Sequence, residues 1–187
     1  MAYAVAVIVG YVLGGVPVAL LVARRHGVDL YRTADGNPGA WNALEQLGAR
    51  RAWPAFIGDA LKGTVAGVIG CALAGWGGAY AGVAGAMLGH AFPVFARFRG
   101  GKSVMTFAGG IFACTLPAAA IALAFCVLVS LLARSFAIGA RVGVAAVPLV
   151  QLLLDPVERV AATGGLMTMI GALFVLRRAP RDTHEVT

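Results

Sequence analysis

The chain has 187 residues, of which 60% are hydrophobic and only 12% are charged. A water-soluble domain of this length cannot hide so much apolar surface inside one core, so the composition excludes a soluble globular protein and predicts an integral membrane protein. The formal net charge of +7 is explained by basic residues on one side of a membrane, where they attract anionic lipid headgroups. No nucleic-acid-binding motif competes with that explanation, so nucleic acid is not a predicted partner.

Apolar stretches account for nearly the whole length of the chain. A spanning helix needs roughly 20 apolar residues, and about seven such stretches can be recognised. The predicted spans are residues 3–23, 52–73, 78–96, 103–116, 118–133, 138–154 and 160–176. We therefore predict an all-α integral membrane protein with about seven transmembrane helices. A single membrane domain is expected over residues 1–187, with a short cytoplasmic tail at 177–187.

Basic residues indicate how the spans are oriented. The first stretch ends in Arg24 and Arg25 rather than in a small-residue cleavage site, which predicts a retained first span. If the N-terminus lies outside, all but two of the 15 lysine and arginine residues fall on the inside or in the tail. The exceptions are Lys62, within a span, and Arg159, beside Asp155 on the outside. The positive-inside rule therefore predicts a cytoplasmic C-terminus.

Glycine is abundant, at 26 residues, and recurs in runs such as Gly63, Gly67 and Gly70. In lipid, small residues spaced three or four apart let helices approach closely. We predict that most of these glycines lie in helix-packing surfaces.

The first polar segment that does not fit a membrane is residues 29–48. Asn37, Pro38 and Gly39 predict a turn, and residues 40–47 have a helical pattern. Asn37 is a candidate cap for this short helix, whose start would offer backbone N–H groups to an anion. The alternative is an amphipathic connector that binds no ligand.

Two ionisable residues, Asp59 and Lys62, lie within the second predicted span. Ionisable residues in a span are costly unless they are paired or face a cavity. A separation of three places both on one helix face. They are therefore either a structural ion pair or a lysine directed at an anionic substrate.

Residues 89–110, GHAFPVFARFRGGKSVMTFAGG, are the most informative stretch. Arg99 and Lys102 flank the pair Gly100 and Gly101 at a predicted cytoplasmic helix junction, and Arg97 is close by. Glycine amides, a lysine charge and a helix start are the elements of a phosphate site, although the spacing is not that of a Walker A loop. His90, about ten residues earlier, is either a packing histidine or part of this site. Ser103 and Thr106 follow in the first turn of the next helix.

Four segments in order resemble the bacterial acyl-phosphate glycerol-3-phosphate acyltransferases. They are GGVPVALLVARRHGVDL from residue 14, GNPGAWNALEQLG from residue 36, DALKG from residue 59 and GHAFPVFARFRGGK from residue 89. The agreement runs through most of the chain, and the last block is specific.

By resemblance, such proteins are seven-span enzymes of the bacterial cytoplasmic membrane. They transfer a fatty acyl group from acyl phosphate to the 1-hydroxyl of glycerol 3-phosphate, giving lysophosphatidic acid and inorganic phosphate. The implied partners are these two substrates and the lipid bilayer; no metal or redox cofactor is implied, and no oligomeric state is predicted. The three cysteines lie singly in apolar segments, which indicates neither a zinc site nor a disulfide framework.

The resemblance also assigns roles to individual residues. His90 and Asn37 are the candidate catalytic residues. Lys102 with Gly100 and Gly101 is assigned to phosphate binding, and Lys62 to anion support or an ion pair. The full set of candidate substrate-binding residues is Asn42, Lys62, Arg99, Gly100, Gly101, Lys102, Ser103 and Thr106.

Several positions depart from the family pattern. Asp35 stands where the family has serine, Trp41 where it has threonine, and Glu45 where it has arginine. A hydroxyl and a guanidinium have thus become two carboxylates, which oppose a bound phosphate if they face it.

Further departures occur later in the chain. Ser103 replaces a glycine, Met105 a small residue and Ala137 a serine, while the residues after Leu176 lack the expected histidine and asparagine, and His184 is too far on to replace them. Three functions remain open: the family reaction, a non-catalytic membrane partner that has kept the fold, and an enzyme for a different acceptor or a small-solute transporter. No internal inverted repeat supports the transporter.

Overall fold

The computed structural model describes residues 1–176, and every regular element among them is helical, so the predicted all-α class is confirmed. The α-helices of this part of the chain are α1 (Ala2–Gly14), α2 (Val18–Arg25), α3 (Ala40–Leu47), α4 (Ala49–Ala91), α5 (Val104–Cys114), α6 (Leu116–Leu132), α7 (Phe136–Leu154) and α8 (Val157–Leu176). Short 3-10 helices occur at Leu30–Arg32 and Val94–Ala96.

Four helical stretches in residues 1–176 are long and apolar enough to cross a bilayer. They are Ala2–Arg25, Ala49–Ala96, Phe136–Leu154 and Val157–Leu176. Helices α5 and α6 are apolar but shorter. The 11 residues of α5 extend about 16 Å, roughly half the thickness of a hydrocarbon core. The predicted span 103–116 therefore contains a helix too short to cross the hydrocarbon core.

The first span is broken, where the sequence predicted one continuous helix. Helix α1 ends at Gly14 and α2 begins at Val18. Pro17 causes the break, because it has no N–H and its ring clashes with the preceding turn of a helix. The break makes the carbonyl of Val16 available, and this oxygen accepts a hydrogen bond from Lys62 Nζ at 3.2 Å.

Helix α4 is a hairpin of two antiparallel arms, residues 49–73 and 76–91. Ala74 and Gly75 have non-helical dihedral angles, and the φ of +63° at Gly75 is a conformation that glycine adopts without strain. The arms touch closely, since a Cβ on Gly70 would overlap the carbonyl oxygen of Gly78. The second arm ends at Ala91 rather than at residue 96, because Pro93 disfavours helical geometry in the residue before it.

Glycines bring α1 against the second arm of α4 at backbone contact. A Cβ on Gly10 or Gly14 would overlap the carbonyls of Gly82 or Ala86, and a Cβ on Gly89 would overlap that of Tyr11. The predicted glycine packing surfaces are thus confirmed.

Helix α5 packs against the first arm of α4 in the same way. Gly63 leaves room for the carbonyl of Thr106, and Gly109 leaves room for that of Ala60. These contacts hold α5 against the first arm, which carries Asp59 and Lys62.

Helix α3 has the predicted bounds, but its start differs from the prediction. Gly39 is the N-cap and makes no side-chain capping bond, so the expectation that Asn37 caps this helix is wrong. The reason is a tight turn in which the Asn37 carbonyl accepts from the Gly39 N–H at 2.9 Å. The same carbonyl accepts from Asn42 Nδ2 at 3.0 Å, which holds residue 37 outside the helix.

Candidate active site

A buried polar cluster joins the two arms of α4. Asp59 and Lys62 lie on the first arm and His90 near the end of the second. Lys62 Nζ is 2.8 Å from Asp59 Oδ1 and 2.6 Å from His90 Nδ1. The ion pair that the sequence allowed for Asp59 and Lys62 is therefore present, and the hairpin adds His90 to it.

The Lys62 ammonium contacts three groups. It donates hydrogen bonds to His90 Nδ1 and to the Val16 carbonyl at the broken first span, and it forms an ion pair with Asp59 Oδ1. Because an ammonium can only donate, His90 Nδ1 is the acceptor and the imidazole carries its proton on Nε2. This tautomer follows from the hydrogen-bond network.

The segment containing Gly100 and Gly101 passes directly over His90. The Gly101 N–H donates to the His90 carbonyl at 3.1 Å. A Cβ on Gly101 would overlap His90 Nε2, and one on Gly100 would overlap the His90 carbonyl. The two glycines are thus required by close contact with the histidine, whereas the sequence pattern predicts a phosphate cradle. Their contact with phosphate stays a prediction.

A cleft opens beside this cluster and brings together residues that are far apart in the chain. Its lining includes five of the predicted site residues, together with Asp59. The predicted residues that line it are Lys62, His90, Arg99, Gly100 and Gly101, and Pro38 adjoins Asn37 there. Arg99 is anchored at the rim, with its guanidinium carbon 4.3 Å from the centroid of the Tyr31 ring. The Tyr31 hydroxyl donates to the Arg99 carbonyl at 2.8 Å.

Lys102 is not among the residues that line this cleft, and its ammonium pairs with Asp35. The distance from Lys102 Nζ to Asp35 Oδ2 is 2.7 Å. The ammonium also lies 4.8 Å from the centroid of the Phe174 ring, a cation–π distance. Asp35 Oδ1 accepts from the Asn37 N–H at 3.1 Å, which orients the carboxylate. The departure at residue 35 therefore directly faces the predicted phosphate lysine.

This ion pair gives a pH-dependent contribution to stability. Partial burial acts to raise the pKa of Asp35, but the hydrogen bond and charge of Lys102 and the Asn37 N–H outweigh it, so the pKa lies below its ordinary value of 3.8. A carboxyl with a lowered pKa contributes stability above its unfolded pKa and loses it as the pH falls through the folded value. Because Asp35 is 43% exposed, the contribution is below about 1 kcal/mol.

We expect Asp35→Asn to lower the unfolding temperature slightly at pH 7 and by less at pH 3, because the carboxyl of the unfolded chain is largely protonated at the lower pH. Thermal unfolding of both proteins in the same detergent at the two pH values measures this difference. A difference that persists unchanged at pH 3 would contradict the assignment to the Asp35 charge.

Asn42 organises the loop before α3. The two N–H donors of its side-chain Nδ2 are shared among the carbonyls of Leu30, Thr33 and Asn37 at 3.0–3.1 Å, and its Oδ1 accepts from the Thr33 hydroxyl at 3.2 Å. The amide is only 2% exposed. This geometry gives Asn42 a loop-holding role, and its contact with substrate stays a prediction.

Asn37, in contrast, has a buried side-chain oxygen that meets no hydrogen-bond donor within residues 1–176. A buried acceptor without a partner is costly and is a reason to expect a ligand or water there. Thr106 has a buried hydroxyl in the same situation.

The backbone conformation of Ser103 is one that glycine adopts more easily than serine. Its φ is +61°, in the left-handed region that glycine adopts at least cost. The serine hydroxyl donates to the Met87 carbonyl at 2.7 Å, a bond that offsets part of this cost. Ser103 is thus a tolerated replacement that links the start of α5 to the second arm of α4.

Glu45 does not face Lys102. Its carboxylate accepts from Trp41 Nε1 at 2.7 Å, and the Trp41 ring stacks on Phe136 with centroids 5.8 Å apart. The two departures at residues 41 and 45 therefore satisfy each other on one face of α3. Ala137 lies in the first turn of α7. The missing C-terminal motif and His184 lie outside the described residues.

Sequence reasoning missed three contacts of the site. Neither the Lys62 bond to His90, nor the Val16 carbonyl, nor the pairing of Asp35 with Lys102 was predicted. For the first, the turn near residue 75 was a usable signal, since antiparallel arms that meet there place residues 62 and 90 at similar heights. Within residues 1–176, no group of three His, Cys, Asp or Glu side chains is arranged to hold a metal ion.

Residues 4–185 match the family model for glycerol-3-phosphate acyltransferase. Relatives of that name include a Nitrobacter winogradskyi protein, 45% identical over 118 residues, a match that covers 63% of this chain and 59% of the relative. A Rubrobacter xylanophilus protein is 37% identical over 174 residues, covering 92% of this chain and 85% of the relative. A Brucella suis protein of the same name is 37% identical over 175 residues, covering 93% and 85%.

Two crystal structures of PlsY (YgiH), an integral membrane glycerol 3-phosphate acyltransferase, have a similar fold. The glycerol 3-phosphate form is 29% identical, with a TM-score of 0.79 over 95% of this chain and 88% of that chain. The lysophosphatidic acid form is 28% identical, with a TM-score of 0.76 over the same shares. The chain is therefore a multi-pass membrane protein that belongs to the glycerol-3-phosphate acyltransferase family.

Proposed function

We propose that this protein transfers a fatty acyl group from acyl phosphate to the 1-hydroxyl of glycerol 3-phosphate. The observation that carries the proposal is the cleft where Lys62 and Arg99 lie beside Gly100 and Gly101 at the ends of membrane helices. One substrate is an amphiphile that reaches the cleft from the bilayer, and the other is a small phosphate from water. The family match over residues 4–185 supports the same reaction.

In this reaction the C1 oxygen of glycerol 3-phosphate forms the ester bond to the acyl carbon, and the bond from that carbon to the phosphate oxygen breaks. The products are lysophosphatidic acid and inorganic phosphate, and the hydroxyl proton leaves with the phosphate or water. Arg99 and Lys102 supply the positive charge that stabilises the leaving phosphate. Holding both substrates in one cleft also raises the rate through orientation.

His90 and Asn37 are the proposed catalytic residues. His90 lines the cleft with its Nδ1 held by Lys62, which leaves the Nε2 proton on the side of Gly101. In this tautomer His90 acts as a hydrogen-bond donor, which suits the stabilisation of a developing oxyanion. The buried Asn37 Oδ1 suits acceptance of a hydrogen bond from the attacking hydroxyl. Asn42 holds the loop that positions Asn37.

The site faces the cytoplasm of a bacterial inner membrane, with the N-terminus outside and the C-terminus inside. The basic residues that flank the helices support this orientation through the positive-inside rule.

The direct test is acyl transfer from palmitoyl phosphate to labelled glycerol 3-phosphate by the detergent-purified protein, with lysophosphatidic acid and inorganic phosphate both quantified. Equimolar formation of the two products is expected. Lys102→Ala is expected to weaken the reaction while the protein still inserts and folds. The matched control is Arg159→Ala, which removes the cation of another ion pair, 3.3 Å from Asp155, and should leave the rate unchanged.

A second candidate function is favoured by one observation. Asp35 neutralises Lys102 at 2.7 Å, which fits a non-catalytic paralogue or an enzyme for a less anionic acceptor. Folded protein that forms neither product from glycerol 3-phosphate would favour this candidate. Restored growth of cells that lack their own acyltransferase, when they express this chain, would exclude the non-catalytic version.

A further inference from the structure

Lys102 is the one predicted phosphate-binding cation whose charge already has an anionic partner at the surface of the site. Its ammonium lies between the Asp35 carboxylate at 2.7 Å and the face of the Phe174 ring at 4.8 Å. The lysine side chain is only 16% exposed. A phosphate that approaches Lys102 therefore meets a carboxylate in the position that a phosphate oxygen would take.

Asp35 is held in that position by its own loop. Its Oδ1 accepts from the Asn37 N–H at 3.1 Å, while its Oδ2 pairs with Lys102. The loop is fixed in turn by the buried Asn42 amide, which binds three loop carbonyls. The carboxylate is thus oriented by backbone and side-chain bonds before any ligand arrives.

The net positive charge around the cleft is small for an enzyme that binds two phosphate groups. Lys62 is compensated by Asp59 and Lys102 by Asp35, which leaves the Arg99 guanidinium as the uncompensated charge of these five side chains. A phosphate monoester carries roughly two negative charges near neutral pH. Without Asp35, the same set would hold one more positive charge at the rim.

We propose that Asp35 determines how tightly the site binds phosphate, because its carboxylate competes with the phosphate group of a substrate or product for Lys102. This inference rests on the proposed function for its substrates, but its central claim concerns phosphate binding. When phosphate binds, the carboxylate turns away; when phosphate leaves, the carboxylate returns to the ammonium. Asp35 therefore weakens phosphate binding and favours release of the inorganic phosphate product.

The test uses Asp35→Asn, which removes the charge but keeps an oxygen for the Asn37 N–H. The control is Glu45→Gln, which removes one carboxylate charge in the neighbouring helix α3, where Glu45 pairs with Trp41 instead of Lys102. Binding of inorganic phosphate to the purified full chain is measured by calorimetry. We expect the dissociation constant of Asp35→Asn to fall about tenfold, as removal of one nearby like charge predicts, and that of Glu45→Gln to stay within about twofold of the wild type.

A double-variant comparison separates this mechanism from a general loop effect. In a Lys102→Met background, Asp35→Asn should no longer increase phosphate affinity, because the cation for which the carboxylate competes is gone. An equal gain in both backgrounds, or no gain in the wild-type background, overturns the proposal. Asp35→Ser serves as a second charge-removing variant if Asp35→Asn fails to fold.

Kinetic measurements distinguish which phosphate Lys102 holds. If Asp35→Asn has a lower KM than the wild type for glycerol 3-phosphate alone, Lys102 holds the phosphate of the acceptor. If Asp35→Asn has a lower KM for acyl phosphate and is inhibited more strongly by inorganic phosphate, Lys102 holds the phosphate of the donor. If the enzyme is active and Asp35→Asn binds phosphate with the same dissociation constant as the wild type, this inference is disproved and the proposed function is unaffected. A gain in phosphate affinity without acyl transfer would support the competition and disprove the function.

Discussion

Lys62→Met is expected to lower the free energy of unfolding by about 3–5 kcal/mol, the usual cost of removing one member of a buried ion pair. The Asp59 and Lys62 side chains are only 1% and 7% exposed, so the substitution would leave a carboxylate buried without its cation. It would also remove the donor to His90 Nδ1 and to the Val16 carbonyl. Acyl transfer should fall together with stability, because His90 would lose its fixed orientation.

A matched control exists elsewhere in the chain. Asp29 and Arg32 form an ion pair with the same spacing of three residues, but their side chains are 53% and 87% exposed. Arg32→Met should therefore cost less than about 1 kcal/mol. Denaturant or thermal unfolding in detergent, followed by circular dichroism, measures both variants. The double variant Asp59→Asn with Lys62→Met should recover much of the loss, since it no longer buries a lone charge. Equal, small effects of Lys62→Met and Arg32→Met would show that the buried pair does not stabilise the fold.

Gly101→Ala is expected to lower kcat/KM by about 100-fold, the effect of displacing a reacting group by roughly 1 Å. The added methyl would overlap His90 Nε2. The imidazole cannot easily move away from the added methyl, because its other nitrogen, Nδ1, is hydrogen-bonded to Lys62 Nζ at 2.6 Å. Either the ring or the segment that leads to Lys102 must move. The accompanying loss of stability should be about 1–3 kcal/mol, as for other overpacked sites.

Gly164→Ala is the control for this substitution. Gly164 lies in α8, and a Cβ there meets nothing within 4 Å. Activity should be unchanged, and the better helix propensity of alanine should add up to about 1 kcal/mol of stability. Steady-state kinetics with both substrates, alongside unfolding of the same preparations, gives the comparison. Wild-type kcat/KM in folded Gly101→Ala would mean that the contact between Gly101 and His90 is not needed for catalysis.

The helices could be predicted from the sequence because each depends on residues close together in the chain. The bounds of α3 follow from its amphipathic pattern, and the two arms of α4 follow from two apolar stretches separated near Gly75. Pro17 was a signal for the break in the first span, but the length of the apolar stretch around it favoured one continuous helix. That prediction was wrong because a single proline interrupts a helix even where the hydrophobic pattern continues.

The site was less predictable, because its contacts join distant residues. The resemblance identified Lys102 and Asp35 separately, but 67 residues separate them, and only the fold places the carboxylate on the ammonium. The sequence predicts that Glu45 opposes a bound phosphate only if it faces one, and in the fold its carboxylate instead accepts from Trp41, four residues earlier on the same helix. The glycines at 100 and 101 were assigned to a ligand, whereas their closest neighbour in the structure is His90.

The ion pair of Asp59 and Lys62 also bears on how the protein enters the membrane. Both residues lie on one helix, three positions apart, so the cation and its counter-ion can meet as soon as that helix forms. The first arm of α4 can therefore leave the translocon without a lone charge, before His90 or α5 has been synthesised. The costly part of the site is neutralised during biogenesis by a local contact, and the later helices only have to close around it.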